Sequence, residues 1–359
     1  MNFFAFVSYA DDGDIGVFRL DGQSGQLTPL ERYPAAERVM PFALRAKKSS
    51  FVAATRGSHR SLLTFSIDRH TGKLTQTRRT GVEASNVYLE SDNSGSLLFG
   101  SSYSEHRLTV YATSDSDEDR PVQIIEGIAH AHGTAVSNDD RFVYVSAHGS
   151  DQIIGYEIRR DNAQTHLSKI DSVDLDHGFG PRHLRLSPSG HHLYVLSEFR
   201  GDIAVFKRDL EKGTLEFCGV SPRAKAYAGL QPGLSRPPAD APNQPDPAVL
   251  AKSIWNADLQ IHPTGRFLYA SDRNTSRIVV HHVSKDGSTV VDTDWTETER
   301  QPRGFKIDPS GTFLVACGEL SSHVSAYQIE PRTGALTHVS RTAGGRGANW
   351  IEIVAQYPD

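Results

Sequence analysis

Apolar and polar positions along this chain fall into short runs, and the runs recur in one order. Segments such as "HHLYVLS" have the alternation and length of half-buried strands, and no long stretch has the period of an amphipathic helix. The repeated unit is an apolar strand, a turn such as "PSG" or "PTG", a second strand, a short polar loop, a third strand and a hairpin to a fourth. Its clearest copies are "LRLSPSGHHLYVLSEFRGDIAVFKRD", "LQIHPTGRFLYASDRNTSRIVVHHVS", "FKIDPSGTFLVACGELSSHVSAYQIE" and "TAVSNDDRFVYVSAHGSDQIIGYEIR". Two weaker copies begin at "VYLESDNSG" and "LRAKKSSF".

The first-turn positions Ala46, Asp92, Ser137, Ser187, His262 and Asp308 mark six copies. They stand about 45–50 residues apart with one longer gap, the spacing of four-stranded propeller blades. The N-terminal "FFAFVSYADDGDIGVFRLDGQSGQLTPL" supplies three strands of a further blade, and the C-terminal "GANWIEIVA" supplies a lone first strand. Pairing these two ends closes a ring with no open sheet edge. The expected fold is all-β, a seven-bladed β-propeller of four-stranded antiparallel blades occupying residues 1–359 as one domain. The longer gap holds a Pro-rich insertion, residues 221–252, between the fifth and sixth blades. It reads as a solvated loop or as a lid over a site, since long loops in compact domains are often functional.

Composition narrows the partners. With a net charge of −5 over 359 residues, nothing global points to nucleic acid or to an anionic membrane. The longest apolar runs fall far short of a membrane span, and the N-terminus reads as a strand rather than a signal peptide. Cys218 and Cys317 are too few for a disulfide framework and have no metal-ligand spacing. A cytoplasmic location is therefore expected, with no cofactor. Nothing in the sequence specifies an oligomeric state.

Stacking the repeats exposes a candidate site. Propeller blades place their first strands around the central axis, so equivalent positions form rings. Five residues before each marker lie Pro41, Val87, His132, Arg182, Ala257 and Arg303, with Asn349 added from the C-terminal strand. Eleven residues after it lie Gly57, Tyr103, His148, Glu198, Arg273 and Glu319. Because neighbouring strands are antiparallel, both rings converge on one mouth of the channel, which also receives the insertion. There Arg182 stands at the channel rim rather than in a core. Polar residues crowd blades four to seven, and an asymmetric ionisable cluster in a concavity is a binding site by default. Arginine's planar fork suits carboxylate and phosphate oxygens, which implies a small anionic ligand.

The stretches "AHGTAVSNDDRFVYV", "GPRHLRLSPSGHHLYVLSE", "WNADLQIHPTGRFLYASDR" and "RQPRGFKIDPSGTFLVACG" resemble the lactonase family of seven-bladed propellers. Its members include cycloisomerase-type bacterial 6-phosphogluconolactonases and the fungal 3-carboxy-cis,cis-muconate lactonizing enzyme. By motif, the family's active-site His, Arg, Glu and Arg fall on His132, Arg182, Glu198 and Arg273. Glu319 departs from the uncharged polar residue of many bacterial relatives, and the insertion is longer than theirs.

The resemblance implies hydrolysis of a sugar-acid lactone, with 6-phosphogluconolactone as the leading substrate. Such a reaction needs a water, a proton acceptor and positive charge against the oxyanion. The acceptor is Glu198 or His132; Arg182 and Arg273 suit the oxyanion and ring oxygen. Arg303 and His183 are candidates for holding a phosphate or carboxylate, with His148, Glu319, Tyr103 and Asn349 as further substrate contacts. His183, one residue from Arg182, is expected on the opposite strand face and reads first as a histidine bonded between blades. Trp255 and Asp258 read as packing or blade-to-blade hydrogen-bonding residues. Arg208, on an outer strand, should matter little to activity.

Three other readings differ in class. A cycloisomerase closing a carboxymuconate needs the same arginines. A non-catalytic binding propeller would carry its polar residues on the rim and a "GH…WD" signature, which is absent. A metal-dependent lactonase would surround His130 and His132 with acidic and amide ligands, which the repeats do not supply. The pairs His191–His192 and His281–His282 read as hairpin and outer-strand residues.

Overall fold

The computed structural model of the chain describes residues 1–45, 47, 49–113, 120–161, 164–236 and 245–358. Seven four-stranded antiparallel sheets form the blades of a β-propeller. Blade 1 is built from both chain ends: Ala348–Ala355 is its innermost strand, paired with Phe3–Tyr9 and followed by Asp14–Leu20 and Leu27–Pro34. The innermost strands of blades 2 to 7 are Val39–Arg45, Asn86–Ser91, Ala131–Val136, Pro181–Leu186, Asn256–Ile261 and Gly304–Ile307. The ring closure read from the two chain ends is therefore present.

The turn after each innermost strand explains why the repeat has its signature. The Ser137 hydroxyl accepts the Phe142 amide at 2.9 Å, Ser187 accepts His192 at 3.1 Å, and Asp308 accepts Phe313 at 2.5 Å. Each side-chain oxygen thus satisfies the first amide of the second strand. Gly190 and Gly311 take the left-handed conformation that these turns require, at φ +75° and +76°. Blade 4 places Asp140 there instead, at φ +56°. The first marker, Ala46, lies outside the described residues.

Between neighbouring blades the cores are apolar and continuous. Phe3, Val7 and Phe18 of blade 1 pack with Phe313, Val315 and Val324 of blade 7, and Phe4, Phe6 and Val17 pack with Phe42, Phe51 and Phe65 of blade 2. Such residues exclude water from both faces of the inner strands, while the outermost strands stay largely exposed, so the blades stack side by side and their innermost strands surround an axis.

The long connection from Leu215–Val220 to Asn256–Ile261 has order of its own in its described parts. The Gln231 amide donates to Lys252 O and the Ile254 amide to Gln231 O, both at 2.9 Å. A four-residue helix, Pro247–Leu250, is capped by Asp246, whose carboxylate accepts the Ala248 amide at 2.8 Å. Residues 237–244 of the insertion lie outside the described residues.

Candidate active site

A cavity of about 330 Å³ opens at one mouth of the channel, lined by residues from both predicted rings. His132 and Arg182 come from the starts of innermost strands, Arg303 from the approach to one, and Tyr103, His148, Glu198 and Arg273 from the ends of second strands. Strand pairing causes this convergence. Pro181 faces Ser197, and Asn256 faces Asp272, so the residues that follow each pair meet at the same height.

The first strands begin with a bulge, which corrects the expected orientation of His183. Pro181 pairs with Ser197 but Leu184 pairs with Val195, so two residues, Arg182 and His183, oppose one. Both therefore face the axis at different depths, rather than opposite sheet faces. Arg182 Nη1 lies 2.9 Å from His183 Nε2, and His183 Nδ1 lies 2.8 Å from Asp258 Oδ1 in the next blade. The arrangement suits a neutral ring that donates from Nδ1 and accepts at Nε2. Burial first, then the Arg182 charge, pulls the His183 pKa down to about 3, so it stays neutral. Its ring centre lies 4.9 Å from that of Tyr88 and 6.0 Å from that of Trp350, in blades 3 and 1. Blades 1, 3 and 5 are not neighbours, so these contacts cross the axis and plug the channel beneath the cavity. His183 is the blade-to-blade histidine, not a cavity contact.

Glu198 is the hub of the site. It accepts from His148 Nε2 at 3.0 Å, from Trp255 Nε1 at 2.9 Å and from Arg273 Nη2 at 2.5 Å, and Arg182 Nε lies 3.4 Å away. Burial acts to raise its pKa, but the Arg273 charge, the His148 hydrogen bond and the Arg182 charge outweigh it and hold the carboxyl well below 4.5. Glu198 is thus a fixed anion whose oxygens are already engaged. His132 is the opposite case. Burial and then the charge of Arg182 depress its pKa well below 6.5, and its Nδ1 has no hydrogen-bond partner among the described residues.

The guanidinium groups share one design. Arg182 is 2% exposed, so it is buried under the rim rather than standing on it; Nη1 donates to Ala257 O. Arg273 donates from Nη2 to Asn256 O at 3.0 Å, and Arg303 from Nη1 to Glu319 at 3.0 Å. Each is braced by these partners and lines the cavity.

Other residues are corrected or added. Glu319 does not line the cavity; it reaches the site only through Arg303. Asn349 lies outside it too, accepting from Ser8 Oγ at 2.7 Å and donating to Met40 Sδ at 3.0 Å, so it serves the joint between blades 1 and 2. In blade 2 the expected register is one residue late. Val39 faces Thr55, which makes Arg56, not Gly57, the counterpart of Glu198 and Arg273. Arg56 lines the cavity and donates from Nε to Ser85 Oγ at 3.2 Å. Three further lining residues were not singled out for the site: Phe199, next to Glu198, Trp255, which stands just ahead of the sixth blade, and Arg236, from the insertion. The position of Trp255 beside "NADLQI" was a signal; nothing in the insertion's composition marked Arg236. Arg208, read as a minor outer-strand residue, is 3% exposed and donates to Tyr144 Oη and to Gly190 O, both at 2.9 Å.

Among the described residues no group of three or more His, Cys, Asp or Glu side chains could hold a metal, and no helix is long and apolar enough to cross a membrane. The lining therefore sets five guanidiniums, Arg56, Arg182, Arg236, Arg273 and Arg303, against Glu198, with Glu319 behind Arg303. A model of the family described as "Lactonase, 7-bladed beta-propeller" matches residues 3–353. The chain belongs to this family. Among curated relatives of this lactonase-family propeller is a 6-phosphogluconolactonase of Pectobacterium carotovorum, 31% identical over 353 residues and covering 98% of each chain. Another, from Cronobacter sakazakii, is also named 6-phosphogluconolactonase and is 30% identical over 352 residues, again 98% of each chain. The periplasmic gluconolactonase of Pseudomonas aeruginosa has the same fold, with a TM-score of 0.83 at 19% identity over 99% of this chain and 100% of that one. A protein from Lactobacillus plantarum superposes with a TM-score of 0.81 at 20% identity, over 99% and 100% of the two chains.

Proposed function

We propose that this propeller hydrolyses a phosphorylated sugar-acid lactone, 6-phosphogluconolactone, to 6-phosphogluconate. The observation that carries this reading is the excess of guanidinium over carboxylate around one small cavity. Paired charges would leave a neutral channel; here Arg56 and Arg236 have no carboxylate within ion-pairing distance among the described residues. A phosphate is close to dianionic at neutral pH and offers three acceptor oxygens, which answers that excess. The names of the full-length relatives support the same substrate class.

The chemistry follows from the protonation states. Water adds to the lactone carbonyl as His132, neutral and without a partner at Nδ1, accepts its proton. The carbonyl oxygen becomes an oxyanion, which the Arg182 and Arg273 guanidiniums stabilise from a site already fixed by Glu198. The tetrahedral intermediate then breaks the bond to the ring oxygen. His132 returns the proton to that oxygen, leaving an alcohol and a carboxylic acid that ionises in solvent. Glu198, engaged by three donors and strongly acidic, positions the arginines and His148 rather than taking the proton.

Purified protein should accelerate opening of 6-phosphogluconolactone well above spontaneous hydrolysis, with a higher kcat/KM than for gluconolactone. Folded protein that accelerates neither lactone would overturn the reading. Turnover of a carboxy-cis,cis-muconate in their place would assign the site to ring closure.

A further inference from the structure

The inserted segment brings one cation to the site that the blade repeats do not supply. The Arg236 guanidinium carbon lies 3.2 Å from the centre of the Trp255 ring, and that of Arg273 lies 3.7 Å from the same centre. Two such groups cannot share one face without overlapping, so the indole is held between two guanidiniums. Their situations differ. Arg273 is neutralised by Glu198 at 2.5 Å, whereas Arg236 makes no ion pair or hydrogen bond among the described residues. It is half-buried and lines the cavity, so its charge faces the ligand space.

The backbone that carries Arg236 is fixed rather than draped. The Gly233 amide donates to Phe199 O at 2.7 Å, and a Cβ on Gly233 would overlap the Ile254 carbonyl oxygen. Gln231 is bridged to Ser253, and the Ser235 side chain reaches the Tyr103 hydroxyl. Residues 231–236 therefore cross the mouth from blade 6 past blade 5 to blade 3, with the guanidinium stacked flat on Trp255. A flat guanidinium on an indole presents its N–H edge sideways with little freedom left to lose.

We infer that Arg236 is the specificity-determining residue that reads the anionic group of the substrate, so that the insertion selects phosphorylated over uncharged lactones. This rests on the lactonase reading for its substrates but not for its binding test. Stacking on Trp255 offsets part of the cost of holding a second cation beside Arg273, and a bound phosphate would remove the remaining repulsion. A lysine at 236 would keep the charge and lose both the stacking and the fork.

The test compares wild type, Arg236→Ala and Arg236→Lys on 6-phosphogluconolactone and gluconolactone, and by calorimetry on the products 6-phosphogluconate and gluconate. Arg236→Ala should lower the phosphorylated-to-unphosphorylated preference about 10- to 100-fold, both in kcat/KM and in affinity. Arg236→Lys should restore only part of it, and the change should fall on KM far more than on kcat. An unchanged preference, or equal losses for both members of each pair, would overturn the inference and leave Arg236 as a support for Trp255. If wild type opens no lactone, the proposed function fails on its own, and the calorimetric preference still decides the role of Arg236.

Discussion

Arg182 and Arg273 illustrate how a single carboxylate can prepare two cations for chemistry. Glu198 touches both, yet both line the cavity wall, so the positive field is in place before any substrate arrives. Arg182→Ala and Arg273→Ala should each lower kcat by about 100- to 1,000-fold, in line with the loss of one preorganised donor. Steady-state kinetics on refolding-competent, spectroscopically native variants would check this; a change below threefold in either would remove it from the oxyanion site. His132 makes a second prediction at this scale. A proton acceptor works only when deprotonated, and burial holds this ring's pKa well below 6.5. The kcat/KM of wild type should therefore stay level as pH falls through 6.5 and drop only in more acidic solution. Gluconolactone is the substrate for this profile, because a phosphate titrates near pH 6 and would overlay the limb. A midpoint at or above 6.5 would point to a different base.

Single elements show which parts of the fold were legible in the sequence. Blades with "PSG" or "PTG" turns were placed without error, because the left-handed Gly, joined in the two "PSG" blades by a Ser or Asp marker, pins the register at both strands. Blade 2 has "AKKSS" in their place, and there the assigned register slipped by one, hiding Arg56 behind Gly57. The inner-strand bulges were invisible for a different reason. Alternation gives side-chain direction only while pairing is regular, and an unpaired extra residue such as His183 breaks the rule without changing composition. Arg208 in "VFKRD" is expected to matter little to activity, and its structural partners were not legible in the sequence: it bridges blades 4 and 5, with Phe142 beneath its guanidinium at 5.3 Å. Arg208→Ala leaves the Gly190 carbonyl and the Tyr144 hydroxyl without this donor in a buried place, at a cost of about 2–4 kcal/mol. Urea denaturation should show that loss as a lower midpoint, while kcat of the folded fraction stays near wild type. A midpoint shift under a few tenths of a molar would mean that the bridge contributes nothing.

At the scale of the whole molecule, a ring differs from a row of blades because its last contact is also its first. Ala348–Ala355 lies beside Phe3–Tyr9 with seven register pairs, although some 340 residues of sequence separate them. The strand does more than cover an edge. Ile351 and Ile353 enter the core shared by blades 1 and 7, and Val354 enters the core shared with blade 2. Trp350 from the same strand meets Tyr88 at 5.4 Å in the plug beneath the cavity. Opening the closure would therefore expose "FFAFVSY", a strand buried along its whole length, and loosen the floor of the site at once. Ile353→Ala removes buried volume at this joint and should cost about 2–5 kcal/mol, as for other large-to-small core changes. If the ring is one cooperative unit, that cost appears as a lower midpoint for the entire transition, followed alike by fluorescence and far-UV circular dichroism. Amides of Phe3–Tyr9 should then exchange hydrogen as slowly in wild type as those of the interior strand Phe142–Ala147. Faster exchange confined to Phe3–Tyr9, with the other blades protected, would show that the closure opens separately and that the propeller is held blade by blade.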